Sequence, residues 1–323
     1  MSTSAPPATP SIPASRRSSI PPAAWTSSTR SSAPSASAPE APSRPATPAG
    51  RSSPVPLLQL LFLFFAFLAP LAAAATGCAP PGPVETAPVQ WVVDGDTVHL
   101  EDGRKLRLIG LDTPEIHHDG RPPEPYAIEA RSRLQALIGP SRLVSLFPGR
   151  QPRDHYGRLL AHLYTPSGAS LQAELLRQGL ATLLVFPPNL TLLDCYREAE
   201  QEAREAGRGL WSLPEYRPVD AAAMDPARHD RGYRVIRGRI GKVGRSRDSL
   251  WLRMAPKLSL RILREDLKWF PESPEGWRGR QVEVRGMLYR SHGRLLMRLR
   301  HPAQVRLFTR TPVDKPVDNK PES

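Results

Sequence analysis

A mainly β fold with helices, of the α+β class, is what this sequence predicts, and three observations carry the prediction. Short runs of alternating apolar and polar residues recur between Gly, Asp and Pro. Stretches of helical periodicity lie between and after them. The strand pattern then resumes in a C-terminal part of different charge. The expected architecture is an OB-type five-stranded barrel followed by a second, smaller OB-like β-barrel domain.

In chain order, the first five strands are expected at Val89–Val93, Val98–Glu101, Leu106–Leu111, Leu143–Phe147 and Leu159–Tyr164. One helix is expected among them at Tyr126–Leu137, where Ala127, Ala130, Leu134 and Leu137 share a face. Two more follow, at Leu171–Gln178 and at Leu192–Ala206, the latter with Tyr196, Ala199 and Ala203 on one side. A domain of this size buries roughly two thirds of its unfolded surface, enough for a core without disulfides.

Three phrases in this region carry chemistry: DGDT at Asp94–Thr97, RLIGLDTPE at Arg107–Glu115, and DHYGR at Asp154–Arg158. Asp96 follows an Asp-Gly turn and Asp112 ends a strand-like run, so a barrel mouth can bring the two carboxylates together. Two aspartates, the Thr113 carbonyl and waters form an all-oxygen set suited to a hard divalent cation. Glu115 lies beyond Pro114, which turns the chain and sets its carboxylate where it can accept a proton from an attacking water. The guanidinium forks of Arg107 and Arg158 match phosphate oxygens and the extra charge of a five-coordinate phosphorus. Taken singly, DGD is a solvated turn, RLIGLD a buried strand and DHYGR a turn. In this order and company they point to a nuclease. CxxC pairs, HExxH and a Walker loop are absent from the sequence, which gives no support to zinc or nucleotide-triphosphate chemistry.

With those residues in view, Val89–Leu213 resembles the staphylococcal nuclease (thermonuclease) family, through V-DGDTV-L, RL---DTPE, D-YGR-LA--Y, L-RQGLA and a helix ending in GLW. The resemblance implies that Asp96, Asp112 and the Thr113 carbonyl bind Ca2+, that Glu115 activates or orients water, and that Arg107 and Arg158 clamp the scissile phosphate. It implies cleavage of DNA and/or RNA to products with 3′ phosphates. Tyr156 matches a tyrosine that lines the nucleotide pocket. His155 stands beside it where the family has lysine. The tyrosine pair expected after RQGLA is replaced by Leu183, Leu184, Val185 and Phe186, in a stretch one residue shorter. Lost phenol hydroxyls imply altered substrate affinity, with Phe186 keeping some stacking. A non-catalytic nucleic-acid-binding protein that uses the barrel as a platform is the alternative.

The flanking chain is different material. Residues 1–54 are rich in Ser, Pro and Ala and are expected to be disordered. Residues 55–77 hold the apolar run Leu57–Leu68, preceded by Arg51 and followed by small residues, the layout of an export signal or, counted more widely, a membrane anchor. Cys78 just after it resembles a bacterial lipoprotein cleavage site, which makes a lipidated Cys78 a second route to membrane attachment. Cys195, in a helical pattern, reads as a small buried hydrophobe. The expected location is exported: periplasmic, outer-membrane lipoprotein or extracellular in a bacterium. Residues 78–88 and 217–231 read as linkers and 311–323 as a disordered tail. No obligate protein partner is evident.

The charge is unevenly placed. Residues 89–216 hold 14 Lys and Arg against 17 Asp and Glu, whereas residues 217–323 hold 25 against 12, so the whole chain's net +13 belongs to the C-terminal part. Strands are expected there at Tyr233–Val243, Ser249–Met254, Ser259–Ile262, Gln281–Tyr289, Arg294–Leu299 and Gln304–Phe308. Their spacing, and the phrase WRGRQVEVRG, resemble an OB-like nucleic-acid-binding module over residues 232–310. Arg294, Arg298 and Arg300 are expected to form a positive stripe on one sheet face, for which a phosphate backbone is the natural partner. A solvated face over core Trp251, Trp269 and Trp277 is the plainer reading.

Overall fold

In the computed structural model, residues 78–308 other than 118 and 230 are described; the expected N-terminal disordered stretch, the apolar run and the C-terminal tail lie outside them. The described residues belong to one compact unit. The chain opens with β1 (Glu85–Val92), β2 (Thr97–Leu100) and β3 (Lys105–Leu108), then a two-residue β4 (Leu111–Asp112) and helix α1 (Ala127–Ile138). Next come β5 (Leu143–Arg153), β6 (Leu159–Tyr164), α2 (Leu171–Arg177), the two-residue β7 (Thr182–Leu183) and α3 (Leu193–Glu205). Strands β1, β2, β3, β6 and β5 close into a barrel in that order, antiparallel except for the β3–β6 pair. The alternation that predicts these strands also fills the barrel. Val98, Leu100, Leu106, Leu108, Val144, Leu146 and Leu163 are all buried, and Leu134 of α1 and Leu171 of α2 join the same core.

Between β3 and β4 the chain turns through Gly110, at φ +87°, where a Cβ would lie 2.5 Å from the Tyr196 ring. Only glycine fits this close approach, and it directs β4 away from the barrel to pair with β7, Leu111 opposite Leu183 and Asp112 opposite Thr182.

The two cysteines form a disulfide, Cys78–Cys195, with Cα atoms 5.7 Å apart at a sequence separation of 117. Cys195 is therefore not a free buried thiol, and Cys78 has no thiol left to carry a lipid. Loop closure of this size removes roughly 4–5 kcal/mol of unfolded-chain entropy in the simplest account. The bond ties the segment before β1 to α3. Among the described residues no helix is long and apolar enough to cross a membrane.

His162 of β6 is buried, with Nδ1 2.8 Å from the Tyr196 hydroxyl. Burial lowers its pKa from 6.5 to about 4. As pH falls below the ordinary value, the unfolded chain takes up a proton that the folded ring refuses, so stability drops through the window between the two values. The full loss is about 3 kcal/mol. Urea unfolding at about pH 7 and about pH 4.5 should therefore show a fall that His162→Gln flattens; an equal fall in both proteins would remove His162 as its cause.

The C-terminal part departs from the expected smaller closed barrel. It is an eight-stranded, strongly curled open sheet, a half-barrel. Its strands are β8 (Val219–Asp220), β9 (Arg231–Arg239), β10 (Lys242–Arg245), β11 (Ser249–Ala255), β12 (Leu258–Leu263), β13 (Gln281–Ser291), β14 (Arg294–Arg298) and β15 (Val305–Leu307). The order is β10-β11-β12-β14-β13-β9-β8, with β15 also on β13. Both end strands are short, and no ladder joins β10 to β8. Strand alternation specifies which side chains face the core; closure depends on tilt and stagger, which alternation leaves open. Residues 217–231 supply β8 and bury Ala221 and Met224 in this core, beside Ile236, Leu252, Leu260, Trp277 and Val284. A cluster of Ala203, Trp211, Tyr216, Tyr233 and Val235 joins the helical side of the barrel domain to the sheet.

Candidate active site

The site is built where the β1–β2 turn, β3 and β4 meet. In the turn, the Asp96 N–H donates to the Asp94 carboxylate at 3.0 Å, a local bond that Asp-Gly sequences favour. Gly95 between them packs so closely that a Cβ would lie 2.7 Å from both Ala130 of α1 and the Thr113 side chain. This contact seats the turn against the start of the TPE segment. Asp96 is only 1% exposed. Its Oδ2 accepts from the Thr113 N–H at 3.0 Å and from the Thr113 hydroxyl at 3.1 Å, and its Oδ1 accepts from the Thr97 hydroxyl at 3.0 Å.

Arg107, paired with Thr97 across β2 and β3, completes the centre. One terminal nitrogen of its guanidinium is ion-paired with Asp96 Oδ1 and the other donates to Asp112 Oδ1 at 2.5 Å. The two aspartates expected to share one cation therefore converge on one positive group. The structure thus brings Asp96, Asp112, Thr113 and Arg107 together from positions 17 residues apart at the extremes.

Glu115 sits beside them. Its N–H donates to the Glu124 carboxylate at 3.0 Å, and the Glu124 N–H donates back to the Glu115 carbonyl at 3.0 Å. Partial burial pushes its carboxyl pKa up, helped by the nearby charges of Asp94 and Asp112 and opposed by Arg107. Asp94 is pushed up as well, first by burial, against the pull of Arg107 and, more weakly, Arg158. Arg158 thus lies within electrostatic reach of the same cluster. It is held by Asp154, whose Oδ2 accepts from Nε at 2.7 Å and whose Oδ1 accepts from the Arg158 N–H at 2.9 Å.

His155 and Tyr156 ride the exposed turn between Asp154 and Arg158. Tyr156 is 74% exposed, its ring 3.7 Å from the His155 ring and 5.5 Å from the Arg158 guanidinium carbon. No contact joins either ring to the aspartates. Leu183 and Val185 are buried in the barrel core, while Phe186 is 47% exposed and carries the Arg300 guanidinium 4.1 Å from its ring centre. The face of Phe186 expected to stack on substrate is thus shared with the C-terminal sheet.

Three supporting acids escaped the reading of the sequence. Asp94 and Asp154 were visible in their motifs as the residues that cap each turn, a role typical of aspartate two residues before the N–H it binds. Glu200 is fully buried on α3, and its Oε1 accepts from the Leu183 N–H of β7 at 2.7 Å. Its signal was a carboxylate one turn from Tyr196 on the apolar side of a helix. Its countercharge, Arg285 of β13, lies 3.2 Å from Oε2 and could not be read from spacing.

Among the described residues no three His, Cys, Asp or Glu side chains form a ready metal cage. The donor set nevertheless fits a hard cation. Asp96 and Asp112 offer oxygens only, at a point that already accommodates positive charge, and calcium accepts carbonyl and water oxygens for the rest.

Comparison with known proteins agrees with this geometry. Residues 105–213 match the family model described as staphylococcal nuclease homologue. The chain is 37% identical over 128 residues to endonuclease YncB of Bacillus subtilis, covering 38% of this chain and 60% of that protein. It is 35% identical over 128 residues to the SPbeta prophage-derived endonuclease YokF of the same organism, covering 38% of this chain and 43% of that protein. It is 33% identical over 126 residues to a thermonuclease of Staphylococcus intermedius, covering 38% of this chain and 74% of that protein. The matched stretch thus spans less than two thirds of the two Bacillus relatives.

Proposed function

From a chain that belongs to the staphylococcal nuclease family, and from its Asp96–Arg107–Asp112 centre, we propose a calcium-dependent nuclease that hydrolyses phosphodiester bonds of DNA and/or RNA. The observation that carries the reading is the convergence of both aspartates on the half-buried guanidinium of Arg107. Asp96, Asp112 and the carbonyl of Thr113 would hold the metal. Bound there, calcium supplies charge neutralisation for a phosphate and polarises its oxygens.

The chain's own residues account for the rest. Glu115 accepts a proton from the attacking water, and its raised affinity for protons makes it a better acceptor than a free glutamate. Arg107 spends two of its five N–H donors on the aspartates, so three remain for phosphate oxygens. Arg158, aimed by Asp154, binds the same phosphate from the rim and stabilises the charge that grows as phosphorus becomes five-coordinate. Departure of the 5′ oxygen leaves a 3′ phosphate on the upstream fragment. His155 and Tyr156, exposed beside Arg158, contact the flanking nucleotide.

We further propose export to an oxidising compartment, on the support of the Cys78–Cys195 disulfide, a bond that reducing cytosol does not sustain.

Digestion of heat-denatured DNA tests the reading. Cleavage with calcium is expected to vanish with a chelator and to fall about 100-fold or more in Glu115→Gln, with 3′ phosphates on the products. Undiminished cleavage in Glu115→Gln would remove it as the proton acceptor.

A further inference from the structure

The C-terminal sheet carries a cleft that the nuclease centre does not use. Strands β10, β11, β12 and β14 lie side by side, and their register sets Lys242 opposite Arg253, Gly244 opposite Trp251, and Arg253 opposite Ser259, which is next to Leu296. These residues and the turn from β13 to β14, with His292 and Arg294, enclose a cleft of about 570 Å³. Ser259 and Leu296 are buried and form its floor.

The charge of this cleft sets it apart. Four other arginines of the sheet are neutralised: Arg237 by Glu283, Arg245 by Glu275, Arg261 by Asp248, and Arg298 by Glu265 and Asp266. That pairing also breaks the expected stripe, since Arg298 is bound by two acids and Arg300 is turned onto Phe186. Lys242, Arg253 and Arg294 are exposed, and among the described residues no carboxylate lines their cleft. Three cations held together without a counter-charge repel one another, so an anionic ligand relieves a standing cost.

The wall is aromatic and fixed. Trp251 donates its indole N–H to Ser246 at 3.1 Å, and the Arg261 guanidinium carbon lies 5.3 Å from its ring centre. Arg261 is itself tied to Asp248 at 2.7 Å and to Ser249 at 2.8 Å. Beside the ring, Gly244 leaves open space, since a Cβ there would meet nothing within 4 Å.

We propose that this cleft binds a single-stranded stretch of nucleic acid, with Trp251 stacking on a base and Lys242, Arg253 and Arg294 contacting phosphates. The choice of polymer rests on the nuclease reading. The single strand follows from shape: a concave wall with a ring face needs an unpaired base, and a duplex keeps its bases stacked inside. The sheet would then hold the polymer while the barrel cuts it.

The test uses the full chain with calcium chelated, so that binding is read without hydrolysis. Fluorescence anisotropy with labelled 12-nucleotide oligothymidine and oligouridine is measured over a range of salt. Loss of three phosphate contacts in Lys242→Ala/Arg253→Ala/Arg294→Ala should weaken binding at least tenfold and lower the salt slope by about 2. Trp251→Ala should weaken binding roughly ten- to hundredfold with the slope unchanged, and Trp251→Phe should keep most of the affinity. Thermal unfolding of each variant confirms the fold, and the triple variant decides alone if Trp251→Ala does not fold. Wild-type affinity in the triple variant overturns the proposal. So does equal binding of a duplex, or of dextran sulfate, which would mark a surface for polyanions in general. Wild-type protein that binds but never cleaves would sink the nuclease reading alone; cleavage with unaltered binding in the variants would sink the cleft alone.

Discussion

Arg107→Ala should lower hydrolysis by about a thousandfold or more and destabilise the protein at the same time, because one guanidinium serves both the reaction and the fold. Asp96 is almost fully buried, and Arg107 is its ion-pair partner. Removing one partner of a buried pair costs about 3–5 kcal/mol, and the Thr97 and Thr113 donors that stay on Asp96 put the expected loss at the lower end. The two effects separate by design. Arg107→Lys keeps the charge but cannot span Asp96 and Asp112, so it should recover much of the stability and little of the activity. Asp96→Asn combined with Arg107→Ala should likewise recover stability and leave turnover absent. Urea midpoints and kcat on denatured DNA read both. Activity within tenfold of the unaltered protein in Arg107→Ala would show that the assigned centre is not the reacting one.

Arg285→Ala is expected to act at a distance. Arg285 of β13 neutralises Glu200, which is fully buried and holds the Leu183 N–H of β7. Strand β7 in turn pairs with β4 and sets Thr182 opposite Asp112. An arginine of the C-terminal sheet thus supports a strand that carries a candidate metal ligand. Truncating it strands a buried carboxylate and should cost about 3–5 kcal/mol. Arg285 also donates to the Ala303 carbonyl at 3.2 Å, a smaller loss. The calcium concentration for half-maximal activity should rise, because β4 loses its support, whereas kcat at saturating calcium should fall little. Pairing Glu200→Gln with Arg285→Met removes both charges and should restore most of the stability. A change below about 1 kcal/mol in Arg285→Ala would mean that Glu200 is satisfied without it. A second ion pair crosses the same boundary, since Glu283 of β13 is gripped by Arg204 of α3 at 2.9 Å as well as by Arg237 at 2.7 Å, so the contact between barrel domain and sheet is electrostatic as well as aromatic.

The barrel was legible because its strands alternate cleanly and its turns are marked by Asp-Gly and Gly. Each expected strand has an observed counterpart, though Leu106–Leu111 is divided at Gly110 into β3 and β4. That break matters for the site, since a single straight strand would not present Asp112 to β7. Most C-terminal strands were legible too, but the expected Tyr233–Val243 is divided into β9 and β10, which lie at different places in the sheet, and closure was not legible. Basic residues on the sheet looked alike in sequence, and only the fold separates Arg298, bound by two acids, from Arg253 and Arg294, which face the cleft.

Composition, period and motif by themselves determined the barrel, the acids and guanidinium groups of the centre, and the basic character of the C-terminal part, because each is written in residues close together in the chain. Tertiary structure alone decided the pairing of Cys78 with Cys195, the support of Glu200 by Arg285, the opening of the second sheet and the grouping of Lys242, Arg253 and Arg294 around Trp251. Those contacts join residues whose separation along the chain carries no period, so their energies appear only when distant elements are packed together.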